Sequence, residues 1–244
     1  MIYFFSATGN SEFVARELAA ATGDRALAMI GFTKKGVKPP PVRAGETLGI
    51  VFPVYAWRPP RYVVDFVKSL QIEPGAFVYG VCTMGEVAGD TFRYLGEFIR
   101  LDSCYSVKMP GNYIIMSQPE SEEKINRKIV AARGRIGDIA AAVRAKKAGF
   151  DVRKGPAAYL FTYLVGRFAE GFFKDHSFHA SIACTGCGRC VEVCPLDNIT
   201  LEAGKPIWHG NCMHCVACIQ RCPVRAIEFG EKTAKRARYI FPEA

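Results

Sequence analysis

Across residues 1–147 the chain alternates short, uninterrupted apolar runs with longer stretches of helical pattern. The runs Ile2–Phe5, Ala26–Ile30, Leu48–Phe52, Phe77–Cys82 and Tyr105–Met109 read as strands, and Ser11–Ala21, Pro60–Leu70, Asp90–Arg100 and Glu120–Lys147 read as helices. Strands without polar interruption are expected where both faces of a parallel sheet are covered. The pattern therefore predicts an α/β domain over 1–147, a doubly wound sheet of five parallel strands with ligand loops at the strands' carboxyl ends. Beyond it the pattern changes three times. Residues 148–180 are punctuated by glycine and rich in aromatics (Tyr159, Phe161, Tyr163, Phe168, Phe172, Phe173), which predicts a linker helix with an apolar face. Residues 181–230 are cysteine-rich, a second and smaller α+β domain, and 231–244 form a basic, then aromatic, tail expected to pack back onto the body or remain in solvent.

Eight of the ten cysteines fall in 181–230, as Cys184-x2-Cys187-x2-Cys190-x3-Cys194-Pro195 and again, 28 residues later, as Cys212-x2-Cys215-x2-Cys218-x3-Cys222-Pro223. Ile227 follows Ile199 at the same offset, so the segment is an internal duplication. Three cysteines two residues apart wrap one face of a cubane, and the fourth, before proline, completes the cluster of the other repeat. The spacing thus assigns Cys184, Cys187, Cys190 and Cys222 to one [4Fe–4S] cluster and Cys212, Cys215, Cys218 and Cys194 to a second. Zinc sites use paired knuckles rather than triple runs, and disulfides do not suit a reducing compartment. Cys82 and Cys104, in strand-like runs, read as buried small apolar residues, and His214 as a solvated loop histidine.

The turn Ser6-Ala-Thr-Gly-Asn-Ser11 lies between the first strand and the first helix, where free N–H groups face an anion. Its hydroxyls and the freedom of Gly9 suit a phosphate, and the absence of lysine argues for a monophosphate over a triphosphate. Plain helix capping explains the same residues without a ligand. Two further loops stand at the same predicted edge: Pro53-Val54-Tyr55-Ala56-Trp57-Arg58, with rings on which a planar ligand could stack, and the glycine-bearing loop Thr83-Met84-Gly85 onward.

Turn, aromatic loop and glycine loop together resemble a flavodoxin, and 181–230 resembles a bacterial two-cluster ferredoxin. The whole chain is similar to flavodoxin–ferredoxin fusion proteins of the EFR type. The resemblance implies FMN, with Ser6, Thr8, Gly9, Asn10 and Ser11 on its phosphate. Pro53, Val54, Tyr55, Ala56, Trp57 and Arg58 would then stand on one side of the isoalloxazine and Thr83, Met84 and Gly85 on the other. An arginine at about 6 Å in an effective dielectric near 20 is worth roughly 2–3 kcal/mol. Arg58 is therefore expected to favour the anionic hydroquinone and two-electron chemistry.

The formal charge is +9. Two oxidised clusters would bring about −4 and a flavin phosphate about −2, which offsets most of it. The remainder favours acidic low-potential redox proteins as partners, and no helix-turn-helix or RNA-binding signature points to nucleic acid. Met1–Phe5 carries no export pattern, and Ala157–Phe173 is too short and too charged (Arg167, Glu170) to span a bilayer. A soluble, cytoplasmic iron–sulfur flavoprotein is the expectation. Three roles fit it: a carrier between protein partners, an FMN-dependent reductase of a quinone, nitro or similar small acceptor, and a wiring subunit of a larger redox complex.

Overall fold

The computed structural model describes residues 1–241; positions 242–244 of the tail lie outside the described residues. In chain order the sheet region comprises β1 (Ile2–Phe4), α1 (Asn10–Thr22), β2 (Ala26–Ala28), α2 (Met29–Thr33), β3 (Thr47–Pro53), α3 (Arg61–Lys68), β4 (Phe77–Met84), α4 (Thr91–Leu95), β5 (Ser103–Lys108), α5 (Glu122–Arg144) and β6 (Gly149–Asp151). All strands pair in parallel, in the order β2-β1-β3-β4-β5-β6. The first five reproduce the flavodoxin-like order 2-1-3-4-5.

Strand alternation divides the core in two. Tyr3, Ile50, Phe52 and Val78 face α3 and α4, packing on Val63, Phe66, Phe92 and Leu95. Ile2, Phe4, Val51 and Tyr79 face α1 and α5, packing on Val14, Leu18, Ile136 and Ile139. Cys82 and Cys104 are buried in the first of these cores, as their apolar surroundings in sequence indicate.

Two details depart from expectation. The sheet has six strands, not five, because Gly149–Asp151 adds to β5 at the edge; three exposed residues give no apolar run to read. The fourth helix stops at Leu95 rather than Arg100, since Gly96 weakens it and the chain continues in turns. The other long helices have legible ends. Gly23 (φ 73°) closes α1, and Ser121 caps α5, with Glu122 and Glu123 in the first turn and Arg144 in the last.

The linker is helical from Ala158 to Phe172: α6 (Ala158–Leu160), a π-helical turn over Phe161–Val165, and α7 (Gly166–Phe172). Then come β7 (Phe178–Ala180), α8 (Arg189–Glu192), β8 (Ile199–Glu202), β9 (Lys205–Trp208), α9 (Ala217–Gln220) and β10 (Ile227–Phe229), with antiparallel pairs β7–β10 and β8–β9. The duplication is written into the backbone. Left-handed residues recur at the 28-residue offset as Gly186 and His214 (φ 70° and 54°), Gly188 and Val216 (77° and 56°), and Asp197 and Arg225 (48° and 50°). Among the described residues no helix is long and apolar enough to cross a membrane.

Candidate functional site

Folding brings the eight clustered cysteines into two groups. Cys184, Cys187 and Cys190 line one cavity with Cys222, Pro223 and Leu201. Cys212, Cys215 and Cys218 line another with Cys194, Trp208 and Phe178. Each group takes its fourth cysteine from the other repeat. Among the described residues no three His, Cys, Asp or Glu side chains are placed to hold a single metal ion; the thiols stand around cavities, with sulfurs on the walls. Backbone amides already point at some of those sulfurs. Asn198 N donates to Cys194 Sγ at 3.4 Å and, one repeat on, Ala226 N to Cys222 Sγ at 3.2 Å, while His214 N donates to Cys212 Sγ at 3.3 Å. The donor set fits iron–sulfur clusters: eight soft sulfur donors, three of which already accept a backbone N–H···S hydrogen bond.

The two cavities differ in their surroundings. Cys187 is exposed at the first. The second is pressed against the sheet, where burial pushes the Cys212 thiol up to about 11 and the Cys215 thiol up to about 12, and raises Cys218 strongly. Without metal these groups are neutral thiols, so cluster assembly there must expel protons.

A polar frame holds the second cysteine loop. Asp175 Oδ2 accepts from Asn198 Nδ2 and from Gly210 N, both at 2.8 Å, and Asn198 Oδ1 accepts from Asn211 N. His214 is buried rather than solvated, correcting the sequence reading. Its ring bonds Tyr113 Oη at 2.9 Å and Lys174 O at 2.7 Å and stacks on Phe173. None of those partners is near it in sequence, so no local signal could have marked it.

The cysteine segment docks on the carboxyl edge of the sheet. Met213 and Ala217 belong to the same core as Phe5 and Ala7, and Ile114 and Ile115, from the loop after β5, enter the core of the cysteine segment. Arg221 Nε donates to Ala7 O at 2.8 Å, Gln220 Nε2 to Asn112 O at 2.9 Å, and Arg61 to Asn211. Lys34 pairs with Asp197.

The turn Ser6–Ser11 lies between β1 and α1, with Gly9 (φ 103°) immediately before α1 and its N–H bonded to Ser6 Oγ. Its other polar groups are engaged within the protein. Thr8 Oγ1 accepts from Asn112, Ser11 Oγ bonds Thr83 Oγ1 at 2.8 Å, and Asn10 bridges Pro110 O and Tyr239 Oη. The tail closes over the turn. Phe241 N donates to Thr8 O, its ring stacks on Phe13, and a Cβ on Gly9 would meet Phe241 Cβ at 2.5 Å.

Of the other residues assigned to flavin, Thr83 and Met84 end β4 in the core and Gly85 is exposed beyond them. Pro53 ends β3 and Val54 N donates to Thr83 O, so these stay beside the turn. Ala56 (φ 46°) and Trp57 (φ 62°) then swing the chain away. Trp57 packs on Phe161, and Tyr55 lines a cleft with Cys212 and Met213. Arg58 corrects its expectation: it is buried, donates to Thr162 O and Glu170 Oε2 (both 2.8 Å), and lies over the Tyr94 ring. Its charge is neutralised by the linker helix and is not offered to a flavin. The turn keeps the position before a helix start that a phosphate would use, but its polar groups are engaged within the protein, and the aromatic loop is committed to the linker and the cysteines.

Residues 183–227 match the 4Fe-4S dicluster domain family. A curated relative, NADH-quinone oxidoreductase subunit I 2 of Geobacter metallireducens, is 32% identical over 78 residues, a match that takes in 26% of this chain and 60% of that subunit. Among solved structures, the Trp repressor binding protein from Bacillus subtilis is 11% identical with a TM-score of 0.30, over 56% of this chain and 96% of that one. The cysteine-bearing segment is therefore an iron–sulfur ferredoxin domain, docked on a doubly wound sheet of flavodoxin-like strand order.

Proposed function

We propose that the chain is an electron-transfer protein that holds two [4Fe–4S] clusters, one in each four-cysteine cavity, and exchanges electrons with redox proteins. The observation that carries this reading is the reciprocal loan of Cys194 and Cys222 between the repeats. Clusters bound there supply one-electron redox chemistry at low potential. The protein's part is to place one cluster near solvent, at Cys187, and the other against the sheet edge. Likeness to a subunit of a quinone oxidoreductase supports redox protein partners, and the +9 charge favours acidic ones.

The test is anaerobic iron and sulfide analysis with EPR. Wild type should hold about eight irons, four per cubane. Cys222→Ser should perturb the cluster of Cys184, Cys187 and Cys190, and Cys194→Ser the other. Four irons in the wild type, or the reverse pairing, would defeat the reading.

A second cofactor is favoured by one observation, the turn before α1 at the edge of a sheet with flavodoxin-like order. We propose that Ser6–Ser11 holds the phosphate of FMN. A flavin bound there would couple one-electron and two-electron chemistry. Reconstitution with FMN, followed by flavin fluorescence and by Gly9→Ala, tests it. Equal binding by the variant, or none by the wild type, would remove FMN and leave the iron–sulfur reading standing. With flavin present, direct reduction of a quinone or nitro compound separates a reductase from a carrier.

A further inference from the structure

Two buried donors near the second group of cysteines lack a partner, one in the wall of their cavity and the other in a neighbouring cleft that shares Cys212. Tyr55 Oη and Trp208 Nε1 are both shielded from solvent, and neither has a hydrogen-bond acceptor among the described residues. Trp208 lines the cavity of Cys194, Cys212, Cys215 and Cys218. Tyr55 comes from the sheet, just past β3, and shares a cleft with Cys212 and Met213. None of the residues lining the first cavity carries such an atom.

A buried O–H or N–H without an acceptor carries an uncompensated desolvation cost, which is why such groups in native proteins call for an explanation. Cluster and thiolate sulfurs are acceptors that bare thiols replace poorly. A hydrogen bond to sulfur strengthens as the cluster gains negative charge, so it stabilises the reduced form and raises the potential.

We propose that Tyr55 and Trp208 donate hydrogen bonds to the sulfurs of the cluster held by Cys194, Cys212, Cys215 and Cys218, and so raise the reduction potential of that cluster and not of the other. This rests on the two-cluster assignment above. Both are positioning residues: they ligate no iron, and Tyr55 makes the tuning depend on how the cysteine segment docks on the sheet.

Tyr55→Phe and Trp208→Phe remove the donors and keep the rings. Tyr79→Phe is the control, since it deletes another unpartnered buried hydroxyl, in the core between the sheet and α1. The purified proteins are titrated anaerobically with dithionite, and each cluster's midpoint is followed by EPR beside iron content and melting temperature. Each of the two test variants is expected to lower one midpoint by about 59 mV, a tenfold change in a one-electron equilibrium. The other midpoint, the iron content and both midpoints of the control should not move. Unchanged midpoints with iron retained, equal shifts of both clusters, or iron loss in both variants would overturn the proposal. A wild type with only one cluster would instead overturn the assignment beneath it.

Discussion

Arg58 and Glu170 meet at 2.8 Å, across 112 residues of chain, and tie the loop after β3 to α7. Arg58 is buried while Glu170 is partly exposed, so the pair is asymmetric: losing the glutamate strands a charge that water cannot reach. Glu170→Ala should destabilise the protein by about 2 kcal/mol, and Arg58→Met in that background should recover most of the loss, because breaking a buried pair costs more than replacing it. Urea unfolding monitored by tyrosine and tryptophan fluorescence measures both.

Asp175 holds the second cysteine loop through Asn198 and Gly210 N. Asp175→Ala leaves these buried donors without an acceptor, a loss of about 2–3 kcal/mol. Its effect should fall on one cluster. With two clusters bound as proposed, the variant should retain the iron of Cys184, Cys187, Cys190 and Cys222 and release the rest faster under a chelator, as followed by visible absorbance.

Gly9 is constrained twice, by a left-handed φ and by Phe241. Gly9→Ala should cost about 2–3 kcal/mol, of which the dihedral alone accounts for about 1–2. Combined with Phe241→Gly, only the dihedral part should remain, so the double-mutant cycle should be non-additive by about 1 kcal/mol. Thermal denaturation of the four proteins supplies the cycle.

How much of this was legible beforehand depends on the range of each interaction. The first five strands and the duplicated cysteine runs were readable because apolar runs and the 28-residue repeat are local signals. Gly149–Asp151 became a strand only because β5 offered an edge. Trp57, Arg58 and Tyr55 have ordinary loop surroundings in sequence, and their partners Phe161, Glu170 and the second cysteine run lie more than a hundred residues away. The burial of His214 follows from the same kind of distant packing, against Tyr113, Phe173 and Phe178.

Glu120 supplies a pH test. Burial disfavours its charge, but hydrogen bonds from Lys124, Lys128 and Gly111 N outweigh that and hold its carboxyl at about 2. A depressed value means that its stabilisation is complete above the ordinary carboxylate range and is lost as pH falls from about 4.5 toward 2. Wild type should exceed Glu120→Gln by about 2–3 kcal/mol at pH 7. The gap should narrow only below about pH 4.5, in urea midpoints compared at equal pH so that common iron loss cancels.

Tyr239 reaches Asn10 across 229 residues, and Gln220, between two cysteines, accepts from the Tyr239 amide. During synthesis, at about 5–20 residues per second, the amino-terminal turn therefore waits on the order of 10–50 s for its last protein partners. For that interval the turn lacks the partners that Gln220 and Tyr239 complete, so the amino-terminal end of the fold is the last to find all of its contacts.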